Sequence, residues 1–176
     1  MTRNISEERA ALDEFRAALA SPAPLHAQWR RRVTRADGSI EELLIPENIV
    51  TKDGLNALAS RGVAETTSPI GFLAIGTVTA AHSLGSTVTM FGEVSRKVPS
   101  IRTSSNEAII VAATWAGNAD GLTGVALASG ACVNHVNSGL GIAYNLTNSV
   151  NATLQASDFL LLQCELQIGS YDNALG

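Results

Sequence analysis

After residue 70 the apolar residues of this chain recur at every second position in short bursts, and that spacing constrains the fold more than any other feature. Seven bursts can be read: GFLAIGTV, SRKVPSI, AIIVAATW, GVALAS, ACVNHVN, LGIAYNL and FLLLQCELQIG, separated by clusters of Gly, Asn, Asp and Ser. A period of two puts successive side chains on opposite faces of an extended strand. The final burst shows it plainly, with Leu160, Leu162, Cys164, Leu166 and Ile168 on one face and Gln163, Glu165 and Gln167 on the other. Many short strands with regular turn signals predict a mainly β domain, a β-sandwich or jelly-roll. Pro99 inside SRKVPSI has no amide proton to give a ladder and predicts an edge position or a bulge. Trp115 precedes both Cys132 and Cys164, whereas an immunoglobulin domain carries its Trp between the two cysteines, so that variant is excluded.

The first third is organised differently. Asn4 and Glu7 form a capping box, and Ile5, Leu12, Phe15 and Leu19 follow at helical spacing until Ser21-Pro22-Ala23-Pro24 stops the run. Residues 1–24 are therefore expected to be a helical arm with a Pro linker, marginal alone and in need of a docking surface. Residues 25–47 predict a β-hairpin about Asp37-Gly38. A two-residue turn sets Val33 opposite Glu42, and a three-residue loop, Ala36–Gly38 or Asp37–Ser39, shifts the register by one. The Asp37–Ser39 loop is preferred because it pairs Val33 with Leu43, Arg31 with Ile45 and Arg35 with Glu41. Residues 48–176 form the β-domain, led by a short helix from Thr51 to Arg61 with Thr51 as N-cap, Leu55, Leu58 and Ala59 inward, and Gly62 as the stop.

Charge divides along the same line. Residues 1–61 hold 9 of the 12 Lys and Arg and 9 of the 16 Asp and Glu, leaving only 10 charges for the remaining 115 positions. A surface so poor in charge fits a chain largely covered by copies of itself or by a partner. The net charge of −4 gives no general attraction to nucleic acid. The arginines Arg30, Arg31, Arg32 and Arg35 face Glu41, Glu42 and Glu47, and without interleaved aromatics they predict a salt-bridged hairpin or contact with an acidic protein, not an RNA site. No 18-residue apolar run predicts a membrane span, and the charged start lacks the apolar core of a secretory signal. Cys132 and Cys164 lie in apolar alternating segments and are expected as small buried hydrophobes, a disulfide being the lesser alternative.

No constellation for catalysis emerges. Gly71, Gly76, Gly85 and Gly92 lack phosphate-loop spacing, and no Gly-Lys-Ser/Thr follows. Cys132 and His135, three apart on a strand, point to opposite faces and cannot share a metal. No Gly-x-Ser-x-Gly elbow is present, and Glu93, Glu107, Asp120, Asp158 and Glu165 are scattered. No catalytic, cofactor-binding or metal-binding residue is assigned, and the chain is not expected to be an enzyme or to carry a cofactor.

One stretch carries a family likeness. Asn48, Val50, Thr51, Gly54 and Leu55 open a short helix, Ala74-Ile75-Gly76-Thr77 forms a strand, and Glu93 and Arg96 stand three apart beyond a loop. This order resembles a recurrent module of tailed-bacteriophage virion structural proteins, with departures at Val78, Ser86 and Met90. The likeness spans residues 48–100. It implies a sandwich-like fold, frequent homotrimers and no catalytic residues, and it makes Glu93 and Arg96 a structural ion pair bracing the loop after the first strand. The expected function is a capsid decoration (cement) protein on the virion surface, made in the host cytoplasm, with itself and the major capsid protein or another virion protein as partners. Alternatives are a tail, baseplate or fibre-base component, and a carbohydrate-binding module. Phe15, Trp29, Arg30, Arg31, Arg32 and Arg35 are the candidate interface residues, with Trp29 equally readable as hairpin core.

Overall fold

The computed structural model describes residues 26–45, 49–61, 70–78, 81–105 and 108–167. The expected arm at 1–24, with Phe15, lies outside them. Among the described residues the strands in chain order are β1 His26–Thr34, β2 Ile40–Ile45, β3 Ile49–Val50, β4 Phe72–Gly76, β5 Glu93–Lys97, β6 Ile101–Ser105, β7 Ala108–Ala116, β8 Ala126–Leu127, β9 Ser129–Val133, β10 Ala143–Thr147, β11 Ala152–Thr153 and β12 Phe159–Gln167. Helix α1, Lys52–Arg61, and a 3-10 turn at Val88–Met90 complete the elements. The protein is mainly β with antiparallel sheets.

The strands form two five-stranded sheets and a small β11-β8 ladder. The first sheet has the order β2-β1-β12-β7-β6 and the second β3-β10-β9-β4-β5. One core joins their facing sides: Trp29, Val33, Val111, Trp115, Leu160 and Leu162 from the first sheet meet Leu73, Ile75, Cys132 and Tyr144 from the second. The alternation read in the last burst holds, since Leu160, Leu162, Cys164 and Leu166 are all buried.

The sheets differ in how they are covered. In the first, inward and outward residues alternate, as expected of a sheet with one dry face. In the second, β9 and β10 are buried at every position. Its far face carries Ala74, Ala131, Val133 and Leu146 under a lid made by Val88 and Phe91. Two glycines allow close packing on this sheet. A Cβ on Gly76 would stand 2.7 Å from the Phe91 ring, and one on Gly54 would stand 2.6 Å from the Tyr144 Cα, so α1 lies backbone to backbone against β10. The Thr51 hydroxyl caps α1 by accepting from the Gly54 amide at 2.9 Å and donates to the Ala143 carbonyl.

Three expectations are corrected. The hairpin register sets Val33 opposite Glu41 and Arg31 opposite Leu43, which is the Ala36–Gly38 loop and not the preferred Asp37–Ser39 loop. Gly38 donates to the Arg35 carbonyl at 3.0 Å with φ +83°, and Arg35 donates back to the Ser39 carbonyl at 2.9 Å. The left-handed residue must close the loop, and only glycine takes that conformation without cost. Matching Val33 to Leu43 counted for little because β2 is an edge strand on which Leu43 is exposed. SRKVPSI is two strands, β5 and β6, in different sheets, with Pro99 buried in the crossing between them. Helix α1 buries Gly54 and Ala57 and half-buries Leu58, while Leu55 and Ala59 are exposed, because the close approach at Tyr144 rotates the small residues inward.

Candidate interaction surface

Strand alternation divides the arginine cluster. Arg31 and Arg35 turn toward the loop that precedes β12. Arg31 Nη1 donates to the carbonyls of Val150, at 3.1 Å, and Asn151. Arg35 places Nε and Nη2 on Glu41 Oε1 at 2.8 and 2.7 Å, and Nη1 on the Thr153 carbonyl and on Asp158 Oδ2 at 2.9 and 2.7 Å. Asp158 is buried and also accepts from the Gln155 amide at 2.8 Å and the Ala36 amide at 3.2 Å. The Gln155 amide and the Arg35 guanidinium hold the Asp158 carboxyl below its ordinary range, and Asp158 and Glu41 raise the Arg35 value in return. Asp158 is thus the fastener between the hairpin and the turn that leads into β12. Sequence reasoning saw it only as one scattered carboxylate; its signal was an acid set directly before the strongest strand in a stretch nearly empty of charge.

Trp29 is corrected as a surface anchor: it is fully buried and opposite Ile45 in the hairpin core. Arg30 and Arg32 face outward, and Arg32 Nε lies 3.3 Å from Glu42. They sit in two register rows of the first sheet, Leu44-Arg30-Gln163-Ala112-Ile101 and Glu42-Arg32-Leu161-Thr114, beside a third, Ile40-Thr34-Phe159-Ala116. Ile40, Leu44, Ile101 and Phe159 are each about half exposed. This outer face combines open apolar side chains with guanidinium groups, the pairing found where proteins bind proteins.

Glu93 and Arg96 meet in a two-pronged ion pair, Nε to Oε1 at 2.7 Å and Nη2 to Oε2 at 2.6 Å, with each side chain only 4% exposed. Arg96 Nη1 also donates to the carbonyls of His135 and, at 3.2 Å, Leu140, while the Gly139 amide donates to Glu93 at 3.3 Å. The braced segment is therefore the 134–142 loop between β9 and β10, not the loop that follows β4. Gly141 at φ +92° and the bond from the Ile142 amide to Asn134 Oδ1 at 2.7 Å fix its other end. At the far edge, Lys97 Nζ contacts Asp120 Oδ2 at 2.7 Å. Burial acts to raise the Asp120 carboxyl, but Lys97 and the Ala116 amide outweigh it and leave the value lowered.

A cavity of about 330 Å³ is lined by Ala81, His82, Ser83, Ser86 and Met90, and burial lowers the His82 value. Among the described residues no group of three or more His, Cys, Asp and Glu is placed to hold a metal ion, and no helix is long and apolar enough to cross a membrane. Cys132 and His135 are apart: the thiol is in the core, whereas His135 offers its carbonyl to Arg96 and its Nδ1 to the Asn137 amide at 3.0 Å. What the described side chains form is an outer face of open apolar and guanidinium groups and two internal clamps. Comparisons of the chain with protein-family models, curated proteins and solved structures return no match.

Proposed function

We propose that the protein is a structural component of a tailed-bacteriophage virion, a decoration protein that attaches to the capsid shell as a homotrimer and stabilises it. The observation that carries this reading is the unequal covering of the two sheets. The central strands β9 and β10 of the second sheet are buried at every position, whereas the first sheet leaves Ile40, Leu44, Phe159 and Ile101 open beside Arg30 and Arg32.

The residues that carry the family likeness also have structural tasks here, which supports it. Thr51 caps α1, Gly54 admits the helix to β10, Gly76 admits Phe91, and Glu93 and Arg96 clamp a loop. In this reading the N-terminal arm and the outer face of the first sheet share the attachment, and many weak contacts across a lattice make dissociation slow. A β-sandwich suffices as the scaffold. Hairpins lie within each sheet, as β1-β2, β4-β5, β6-β7 and β9-β10, so the strand order adds no argument for the jelly-roll variant.

Rebinding to stripped shells tests the proposal, with copy number per particle as the second readout. Full-length protein should rebind in hundreds of copies, and Arg30→Glu/Arg32→Glu or removal of residues 1–24 should weaken rebinding while the β-domain stays folded. A copy number in the single digits, or full-strength binding by both variants, would overturn it.

A further inference from the structure

Cys132 lies on β9 in the second sheet and Cys164 on β12 in the first, and both belong to the core that joins the sheets. Each is 1% exposed and carries a free thiol. Cys164 Sγ donates to Asn145 Oδ1 at 3.7 Å, and Asn145 is the direct ladder partner of Cys132. The alignment extends along the strands. Two residues before Cys132, a Cβ on Gly130 would stand 3.0 Å from Leu162 Cδ2, and Leu162 is two residues before Cys164. Strands β9 and β12 therefore face each other in step, and the bare glycine lets the sheets approach where the thiols sit. Burial pushes the Cys164 thiol up, and the neighbouring Cys132 thiol adds to the shift. The Asn145 amide nitrogen beside them has no hydrogen-bond partner, a polar group left incomplete in an otherwise apolar setting.

We propose that Cys132 and Cys164 are a redox modification site, a dithiol that a two-electron oxidant of low molecular weight closes into a disulfide between the two sheets. With a peroxide, one sulfur as thiolate attacks the O–O bond and becomes a sulfenic acid as the first water leaves. The second sulfur displaces the sulfenic oxygen as the second water, and the S–S bond forms. Two thiols and one peroxide thus give one disulfide and two waters. With a small disulfide, two exchange steps lead to the same bond and release two small thiols. Both sulfurs are shielded by the core, so reaction waits on local opening and is slow. The inference does not depend on the function proposed above.

The experiment uses the full reduced chain. It is exposed to hydrogen peroxide or oxidised glutathione, then denatured and alkylated, and intact mass and peptide mapping are read with a thermal melt. The expected product is a monomer that has lost two hydrogens, takes no alkyl group, maps to Cys132–Cys164 and melts about 10 °C higher, returning to the start with reductant. Independent adducts on the two cysteines, cross-linked dimers, or a bridge that lowers the melting temperature would overturn the proposal. Cys164→Ala should yield only a single-site adduct on Cys132; if that variant does not fold, the mapping of the unaltered chain decides alone.

Discussion

Replacing Arg96 by Met is the sharpest test of how the 134–142 loop is held. The substitution keeps much of the side-chain length and removes every bond of the guanidinium. It strips Glu93 of both prongs, at 2.7 and 2.6 Å, and leaves it the Gly139 amide at 3.3 Å. A carboxylate on a 4% exposed side chain is then without a counter-charge. Breaking a buried pair from one side costs about 3–5 kcal/mol, and in a chain of this size that lowers the melting temperature by roughly 10 °C. Glu93→Leu with Arg96→Met removes both charges. The remaining loss is at the carbonyls of His135 and Leu140 and the Gly139 amide, in a loop whose positions 136–138 are exposed, so water can take up part of it and the cost falls to about 1–2 kcal/mol. The double variant should therefore be more stable than the single one by about 2 kcal/mol. Urea unfolding reports this through Trp29 and Trp115, both fully buried and due to shift to the red on exposure. A single variant within about 1 kcal/mol of the parent, or a double variant less stable than the single, would refute the account of a buried clamp.

Two further outcomes are expected. Gly54→Ala should destabilise by about 1–3 kcal/mol or more in chemical unfolding, because the added methyl meets the Tyr144 backbone, which cannot rotate away; a neutral result would show that α1 can lift from β10. The carboxyls of Asp158 and Asp120 are lowered relative to unfolded values near about 3.9. In acid the unfolded chain takes up protons first, so their stabilisation is complete above that value and lost as pH falls through the folded ones. Stability measured from pH ~6 to ~2 should drop on that limb, and Asp158→Asn should flatten it while lowering stability at neutral pH; an unchanged limb in the variant would show that Asp158 does not supply it.

Much of the β architecture is legible in the sequence because it is local. The alternation of FLLLQCELQ is strand β12, and AIIVAATWA is β7, since a period of two is enforced by the pleat itself. Thr51 as a cap is equally local. Other features depend on what the strand meets. No alternation distinguishes the faces of β9 and β10, because both faces are buried, and Pro99 separates strands of different sheets only because the chain crosses there. The hairpin register was decided by one glycine's backbone and not by the side chains that seemed to match. The fates of the arginines were the least readable, since Arg31 finds its acceptor at Val150, 119 positions away.

The strand order has a consequence for how the chain matures. The first sheet is built around β12, the last of the described strands, which inserts between β1 and β7 and so joins two hairpins that have no direct ladder to each other. During synthesis those hairpins leave the ribosome long before the strand that unites them. At about 5–20 residues per second, β1 and β2 wait several seconds with an unfilled edge. Folding of this domain is therefore governed by its most distant pairing and is slow for its size. A chain cut short before β12 would leave the inner edges of β1 and β7 unpaired, which makes the integrity of β12 a checkpoint for the whole fold.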